Sequence, residues 1–171
     1  AVNLVDWLSA SPPEKFVYTG STGVYAQNDG STVTETSPAE PASETGKILL
    51  ETEQYFLRAA ADRRLPAVIL RFAGIYGPER GHLLRRFVRG EAVISGQGSR
   101  CMNMIHRDDA AGCILAALEK GRPGEIYNAA DDEPVPQRLF FEWLSQTLGM
   151  PMPPCVPDDP PSARFGATHK R

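Results

Sequence analysis

The run Pro66-Ala67-Val68-Ile69-Leu70-Arg71-Phe72 is apolar at nearly every position and does not alternate toward water. Strands of that kind are buried on both faces, which happens when helices cover both sides of a parallel sheet. Gly74, Gly77 and Pro78 end it. Phe16-Val17-Tyr18-Thr19, stopped by Gly20, and Glu125-Ile126-Tyr127-Asn128 read as further strands, with Ala92–Ser95 a weaker one.

Helical periods separate these runs. Val2, Leu4, Val5 and Leu8 fit one face of a short helix, with Ser9–Glu14 as a polar exit. From Lys47 to about Arg64, Leu49, Phe56 and Ala60 share one side, with Glu51, Glu53, Arg58 and Arg63 placed for solvent. His82–Arg89 reads as a short basic helix. A further helix opens at Asp108 or Asp109, carries Ala110, Ala111, Ile114, Leu115 and Leu118 as its stripe, and stops at Gly121 as a C′ glycine. Pro136–Leu148 is the last helix, with Leu139, Phe140, Trp143 and Leu144 inward. Ala26–Gly46 has no period, and a loop that long is functional or disordered. Six prolines among the twelve residues Met150–Pro161 predict an extended strap or linker. The whole reads as one α/β unit over residues 1–149 with a Pro-rich tail over 150–171.

Composition sets the class of partner. The 171 residues are 42% hydrophobic and 23% charged, with a formal net charge of −3. That suits a soluble globular chain and argues against nucleic acid or an anionic membrane surface as partner. Apolar runs fall far short of the ~20 residues a membrane span needs. Ala1–Trp7 has no basic region and contains Asp6, unlike a signal peptide. Cys101, Cys113 and Cys155 form no Cys-x-x-Cys pair, and no His stands at zinc-ligand spacing. Neither a disulfide framework nor a metal site is expected, and reduced thiols fit a cytoplasmic location.

Parallel α/β sheets bind ligands at the carboxyl ends of their strands. Thr19-Gly20-Ser21-Thr22-Gly23 and Ala73-Gly74-Ile75-Tyr76-Gly77 fall there. Their small residues let a ligand approach the backbone, or simply make tight turns. A complete G-x-G-x-x-G loop is absent: Gly96-x-Gly98-x-x-Cys101 lacks the third glycine and opens no helix.

The order of motifs carries a resemblance. Phe16–Tyr25 resembles the strand and Ser/Thr-containing turn of the extended short-chain dehydrogenases/reductases, the NAD-dependent epimerase/dehydratase family. Thr45-Gly46-Lys47 with Glu51 looks like the helix bearing that family's lysine. Leu70-Arg71-Phe72-Ala73-Gly74-Ile75-Tyr76-Gly77-Pro78 is similar to its "LR…YGP" segment. Asn103–Ala110 resembles its "IHxDD" helix start, and Ile126-Tyr127-Asn128 its "YN" strand. The resemblance implies part of a Rossmann-type doubly wound, mostly parallel sheet with a small carboxyl-side substrate lobe. It also implies the carboxyl-side portion of a longer protein, since the family's Gly-rich loop and first strands have no counterpart here.

The resemblance also implies roles. Ser21, with Thr22, would hydrogen-bond the reacting hydroxyl or carbonyl, and Lys47 would hold the nicotinamide ribose. Thr19, Gly20, Arg71, Phe72, Ala73, Gly74 and Ile75 would line the cofactor, NAD or NADP. Arg80, His82, Arg85, Arg86 and Asn103 would meet a small-molecule substrate of nucleotide-sugar type, with Arg89 nearby; the arginine run reads equally as a solvated face. His106 reads as a structural histidine, and Asp108 and Asp109 as helix-capping carboxylates. Where the family has Tyr-x-x-x-Lys, Ser43 stands four residues before Lys47. Serine is shorter and far less acidic than a phenol, so Thr22, Tyr25 and Tyr76 become the alternative hydroxyls. Two expectations follow: an atypical NAD(P)-dependent epimerase, dehydratase or reductase of nucleotide sugars, or a non-catalytic dinucleotide-binding or redox-sensing protein acting through a partner. A homodimer is compatible with both.

Overall fold

The computed structural model describes residues 2–27, 30–157 and 169–170. In chain order it holds α1 (Val2–Ala10), β1 (Phe16–Ser21), β2 (Thr32–Val33), α2 (Glu44–Ala61), β3 (Ala67–Phe72) and β4 (Gly74–Tyr76). There follow α3 (His82–Val88), β5 (Ile94–Ser95), β6 (Cys101–Met102), β7 (Met104–His106), α4 (Arg107–Lys120) and β8 (Ile126–Ala129). β9 (Val135–Pro136), α5 (Gln137–Leu148), β10 (Cys155–Val156) and β11 (His169–Lys170) complete it.

β1, β3 and β8 form a parallel sheet in the order β1-β3-β8. Every residue of β3 is buried. Val68, Leu70 and Phe72 pack on Ile105 of β7 and on Ala110 and Ala117 of α4, while Ala67 and Ile69 face α1 and α2 through Val5, Phe56 and Ala59. A strand sandwiched by helices on both faces has no wet side, hence its unbroken apolar run. This is the expected α/β, Rossmann-type arrangement.

A separate cluster of Phe87, Ala92, Ile94, Phe141 and Leu144 joins α3, β5 and α5. Ile94–Ser95 pairs in parallel with Cys155–Val156, not with the main sheet. The proline-rich stretch is thus extended but packed as far as Val156, with Met150 and Met152 on this cluster. The rest of the expected tail, Asp158–Thr168 and Arg171, lies outside the described residues. Among the described residues no helix is long and apolar enough to cross a membrane.

Several sequence expectations are corrected. α2 begins at Glu44 rather than Lys47, because Ser43 is its N-cap and its Oγ accepts the Gly46 N–H at 3.0 Å. Glu53 is fully buried rather than turned to solvent. In α5, Phe141 and Leu144 are buried, while Leu139 and Trp143 are exposed. Residues 139, 140, 141, 143 and 144 are all apolar, so the helical phase has no single reading. In α4, Leu115 and Leu118 are exposed, and in α1, Val2 and Leu4 are. His106, not an aspartate, caps α4: its Nδ1 accepts the Asp108 N–H, with both aspartates in the first turn. Gly121 ends α4 with φ −59°, not left-handed; a Cβ there would lie 2.5 Å from the Ala117 carbonyl oxygen.

Candidate functional site at the carboxyl ends of the strands

The register of the parallel sheet sets what stands together. Gly20 is opposite Arg71 and Ser21 opposite Phe72, while Arg71 and Phe72 face Asn128 and Ala129 on the other side. Past this level the chain turns. Ser21 Oγ accepts the Gly23 N–H at 3.0 Å, which makes Ser21 the N-cap of a single 3-10 turn over Thr22–Val24. Its hydroxyl proton is therefore available to a ligand. Thr22 is buried in that turn, and Thr19 is exposed on the strand.

After Phe72, the Ala73 N–H bonds the Ala129 carbonyl at 2.9 Å and the Gly74 N–H bonds the Asn103 carbonyl at 3.1 Å. β4 then runs parallel to β7, setting Gly74 beside Met104, Ile75 beside Ile105 and Tyr76 beside His106. Asn103 is thereby brought to the end of β3, and Tyr76 meets the His106 ring edge-on at 5.4 Å. Above Gly74 there is room: a Cβ would meet the Asn103 carbonyl at 3.4 Å and Met104 Cγ at 3.8 Å, ordinary contact distances. Gly20 differs. A Cβ there would lie 2.7 Å from Glu53 Oε1, so this glycine accommodates a protein carboxylate rather than a ligand.

Beneath these turns lies a polar chain that sequence periodicity missed. Glu53 Oε2 accepts from Arg71 Nε at 2.9 Å and Nη2 at 2.7 Å. Arg71 Nη1 donates to the Tyr25 hydroxyl at 2.8 Å, and that hydroxyl donates to Asn128 Oδ1 at 2.9 Å. Arg71 also lies over the Tyr25 ring, 5.0 Å from its centroid. Burial pushes the Glu53 carboxyl above its usual range, and the Arg71 hydrogen bonds and charge pull it back. Arg71, though burial opposes its charge, is held charged by Glu53. Its Nε, Nη1 and Nη2 each donate one bond to a protein group. The signal for this pair was present in sequence only as a lone charge inside an apolar strand, at Arg71.

Other expected site residues lie on α2 and on or beside α3. The Lys47 ammonium is exposed and 3.6 Å from Glu44 Oε2. α2 faces the strand turns instead with Gly46, whose Cβ would come 3.2 Å from the Gly23 carbonyl oxygen, and with Leu49 and Leu50 against Val24, Tyr25 and Val33. Ser43 precedes the helix as its cap, and its carbonyl accepts the Lys47 N–H at 3.0 Å, one turn on. His82, Arg85 and Arg86 belong to α3, which packs through Phe87 on Ile94 and Phe141; Arg86 donates to the Glu91 carbonyl, and Arg80 is exposed before the helix. Among the described residues no group of His, Cys, Asp and Glu could hold a metal ion.

The fold and the strand-end site are those of a Rossmann-type α/β protein. Residues 1–130 match the NAD dependent epimerase/dehydratase family, and the chain belongs to it. Protein YeeZ of Escherichia coli (strain K12) is 31% identical over 153 residues, 88% of this chain and 52% of that protein. The dTDP-D-glucose 4,6-dehydratase of Homo sapiens is 28% identical over 122 residues, covering 67% of this chain and 35% of its own. A functionally unknown conserved protein from Silicibacter pomeroyi DSS superposes with a TM-score of 0.83 at 31% identity, over 99% of this chain and 62% of that one. The dTDP-glucose 4,6-dehydratase from Bacillus anthracis str. Ames, solved in complex with NAD, has a TM-score of 0.83 at 21% identity over 99% and 56%, a likeness of fold. The chain thus spans about half the length of YeeZ.

Proposed function

We propose that this chain is the carboxyl-side portion of an NAD(P)-dependent enzyme of the nucleotide-sugar epimerase, dehydratase or reductase type, acting in the cytoplasm. The observation that carries the reading is the register pair Ser21–Phe72, which sets a hydroxyl at the strand end that leads into buried Ala73 and the exposed backbone of Gly74. Relatives and structural neighbours include enzymes of dTDP-glucose and a UDP-glucuronic acid 4-epimerase solved with NAD, which supports the substrate class.

The residues present fit the nicotinamide end of such a cofactor: small side chains at the end of β3, with Gly74 exposed. They do not include the Gly-rich loop that cradles a pyrophosphate. The dinucleotide supplies hydride transfer at a sugar carbon when bound. The chain's own part is to orient: Ser21 donates its hydroxyl proton to the substrate oxygen while Gly23 holds its Oγ, and Ala73–Ile75 line the ring. Thr22 backs the same turn, and Asn103, held against Gly74, reaches the substrate side. Arg80, His82, Arg85 and Arg86 meet the diphosphate from the α3 side.

A second reading, a dinucleotide-binding or redox-sensing protein without turnover, is favoured by α2. Ser43 is spent on capping, and Lys47 points to Glu44 and solvent. Full-length protein titrated with NADH and NADPH, then incubated with UDP- and dTDP-hexoses, tests both. Dinucleotide binding with sugar turnover, reduced about a hundredfold by Ser21→Ala, is the expected result. Failure to bind either dinucleotide would sink both readings. If Lys47 holds the ribose, Lys47→Ala weakens binding at least about tenfold; a change under about threefold with no turnover leaves the sensing reading standing.

A further inference from the structure

The polar chain beneath the site has an outer end. Among the described residues β8 is an edge of the sheet, and the Asn128 N–H is taken not by another strand but by Glu35 Oε1 at 2.7 Å, from 93 residues away in sequence. Glu35 is half-buried in a tight turn, which Ser37 Oγ closes by accepting the Thr34 N–H at 2.9 Å. Two residues earlier, Val33 is buried against Val24 and Tyr25. Asn128 receives the Tyr25 hydroxyl on its side chain and Glu35 on its backbone, so it joins a rigid interior to a surface segment.

We propose that the chain Glu53–Arg71–Tyr25–Asn128–Glu35 positions the 30–37 segment against the carboxyl end of β8, with Glu35 the latch that fixes this wall of the strand-end site. The inference rests on the reading that dinucleotide and substrate bind there. Its inner end is enclosed, because Glu53, Arg71 and Tyr25 are each less than 5% exposed and hydrogen-bonded in series. At its outer end the Asn128 N–H donates a charge-assisted bond to the Glu35 carboxylate, stronger than a neutral bond yet broken by one substitution. Sheet register puts Asn128 level with Arg71, one residue before the Ala129 carbonyl that holds Ala73. A shift of the segment is therefore felt beside Ala73 and Gly74.

Glu35→Ala removes the acceptor, whereas Glu35→Gln keeps an amide oxygen that can accept the same N–H. In full-length protein without ligand, hydrogen exchange of peptides covering residues 30–37 should quicken about tenfold in Glu35→Ala and stay near wild type in Glu35→Gln. NADH or nucleotide-sugar affinity should fall severalfold in Glu35→Ala and recover in Glu35→Gln, with the unfolding midpoint little changed. Unaltered exchange in Glu35→Ala would overturn the latch, and so would faster exchange with unaltered affinity. Wild-type protein that binds neither ligand would instead overturn the functional reading and with it the positioning role, an outcome separable because exchange is measured without ligand.

Discussion

Oε1 of Glu53 occupies the space a Cβ on Gly20 would need, 2.7 Å from where that carbon would sit. Helix α2 and strand β1 approach this closely because a carboxylate, not an alkyl side chain, fills the gap, with its other oxygen committed to Arg71. Gly20→Ala should therefore destabilise the fold by about 1–3 kcal/mol, the range for overpacking a core. Urea denaturation reads it. In a Glu53→Ala background the same substitution should cost much less, and an equal cost in both backgrounds would refute the contact.

Arg71→Met should be the more damaging change. It leaves Glu53 fully buried without its partner, a loss of roughly 3–5 kcal/mol, and replacing both with Glu53→Leu and Arg71→Met should recover most of it. The pH dependence has a definite sign. The Glu53 carboxyl is raised from its usual 4.5 by burial. Such a group favours the fold below its unfolded value and loses that contribution as pH rises through its folded value. Removing Arg71 raises it further, so the Arg71→Met penalty should shrink as pH falls from neutral toward about 4. Equal penalties at both ends of that range would contradict the assignment.

This pair also marks where the sequence stops being legible. β3 and β1 were readable because an apolar run between breakers has few other uses, and the helices were readable by period. A buried carboxylate looks, in that period, like a solvent-facing one. That period therefore turns Glu53 outward, and only the pairing with Arg71 across 18 residues reverses it. Two-residue strands such as Thr32–Val33 and Cys155–Val156 carry no period at all. At the candidate site, Ser21, Ala73 and Gly74 are readable as small residues at strand ends. Glu35 was not, because its partner is a backbone N–H, which no side-chain pattern records.

Ser43→Ala should behave as a cap deletion. The Ser43 Oγ–Gly46 N–H bond satisfies one of the orphan donors at the start of α2, and losing it costs about 1 kcal/mol. Any turnover of full-length protein should stay within a factor of about three, since that loss acts on the helix and not on a reacting atom. A drop of two or more orders of magnitude at unchanged cofactor affinity, about 2.7 kcal/mol or more on the barrier, would make Ser43 the catalytic hydroxyl.

Asp131 offers a second titration. Just past the end of β8, its carboxyl is raised from the usual 3.8, first by burial and then by the charges of Asp132, Glu133 and Asp109, against a backbone hydrogen bond from Glu133 that lowers it. A raised carboxyl weakens the fold once ionised, and the loss is complete above its folded value. Asp131→Asn should thus raise the thermal midpoint at pH 7, with the gain vanishing below about pH 4. A gain that persisted unchanged in acid would mean the effect was not electrostatic.

The last expectation concerns the outer edge of β1. Among the described residues β1 pairs only with β3, so Phe16–Ser21 presents one row of backbone groups unpaired. Trp7 on α1 is 73% exposed and Ile48 on α2 57%, on the helices that cover that side of the sheet. Open strand edges flanked by bare apolar groups recruit other chains. The 171-residue chain by itself should therefore exceed its 18.7 kDa monomer mass in light scattering as concentration rises. Because backbone pairing and apolar burial drive this, added salt should not disperse the assemblies, in contrast to association through surface charge. A monomer at every concentration, or dissociation by salt, would show that the edge is already closed within the chain.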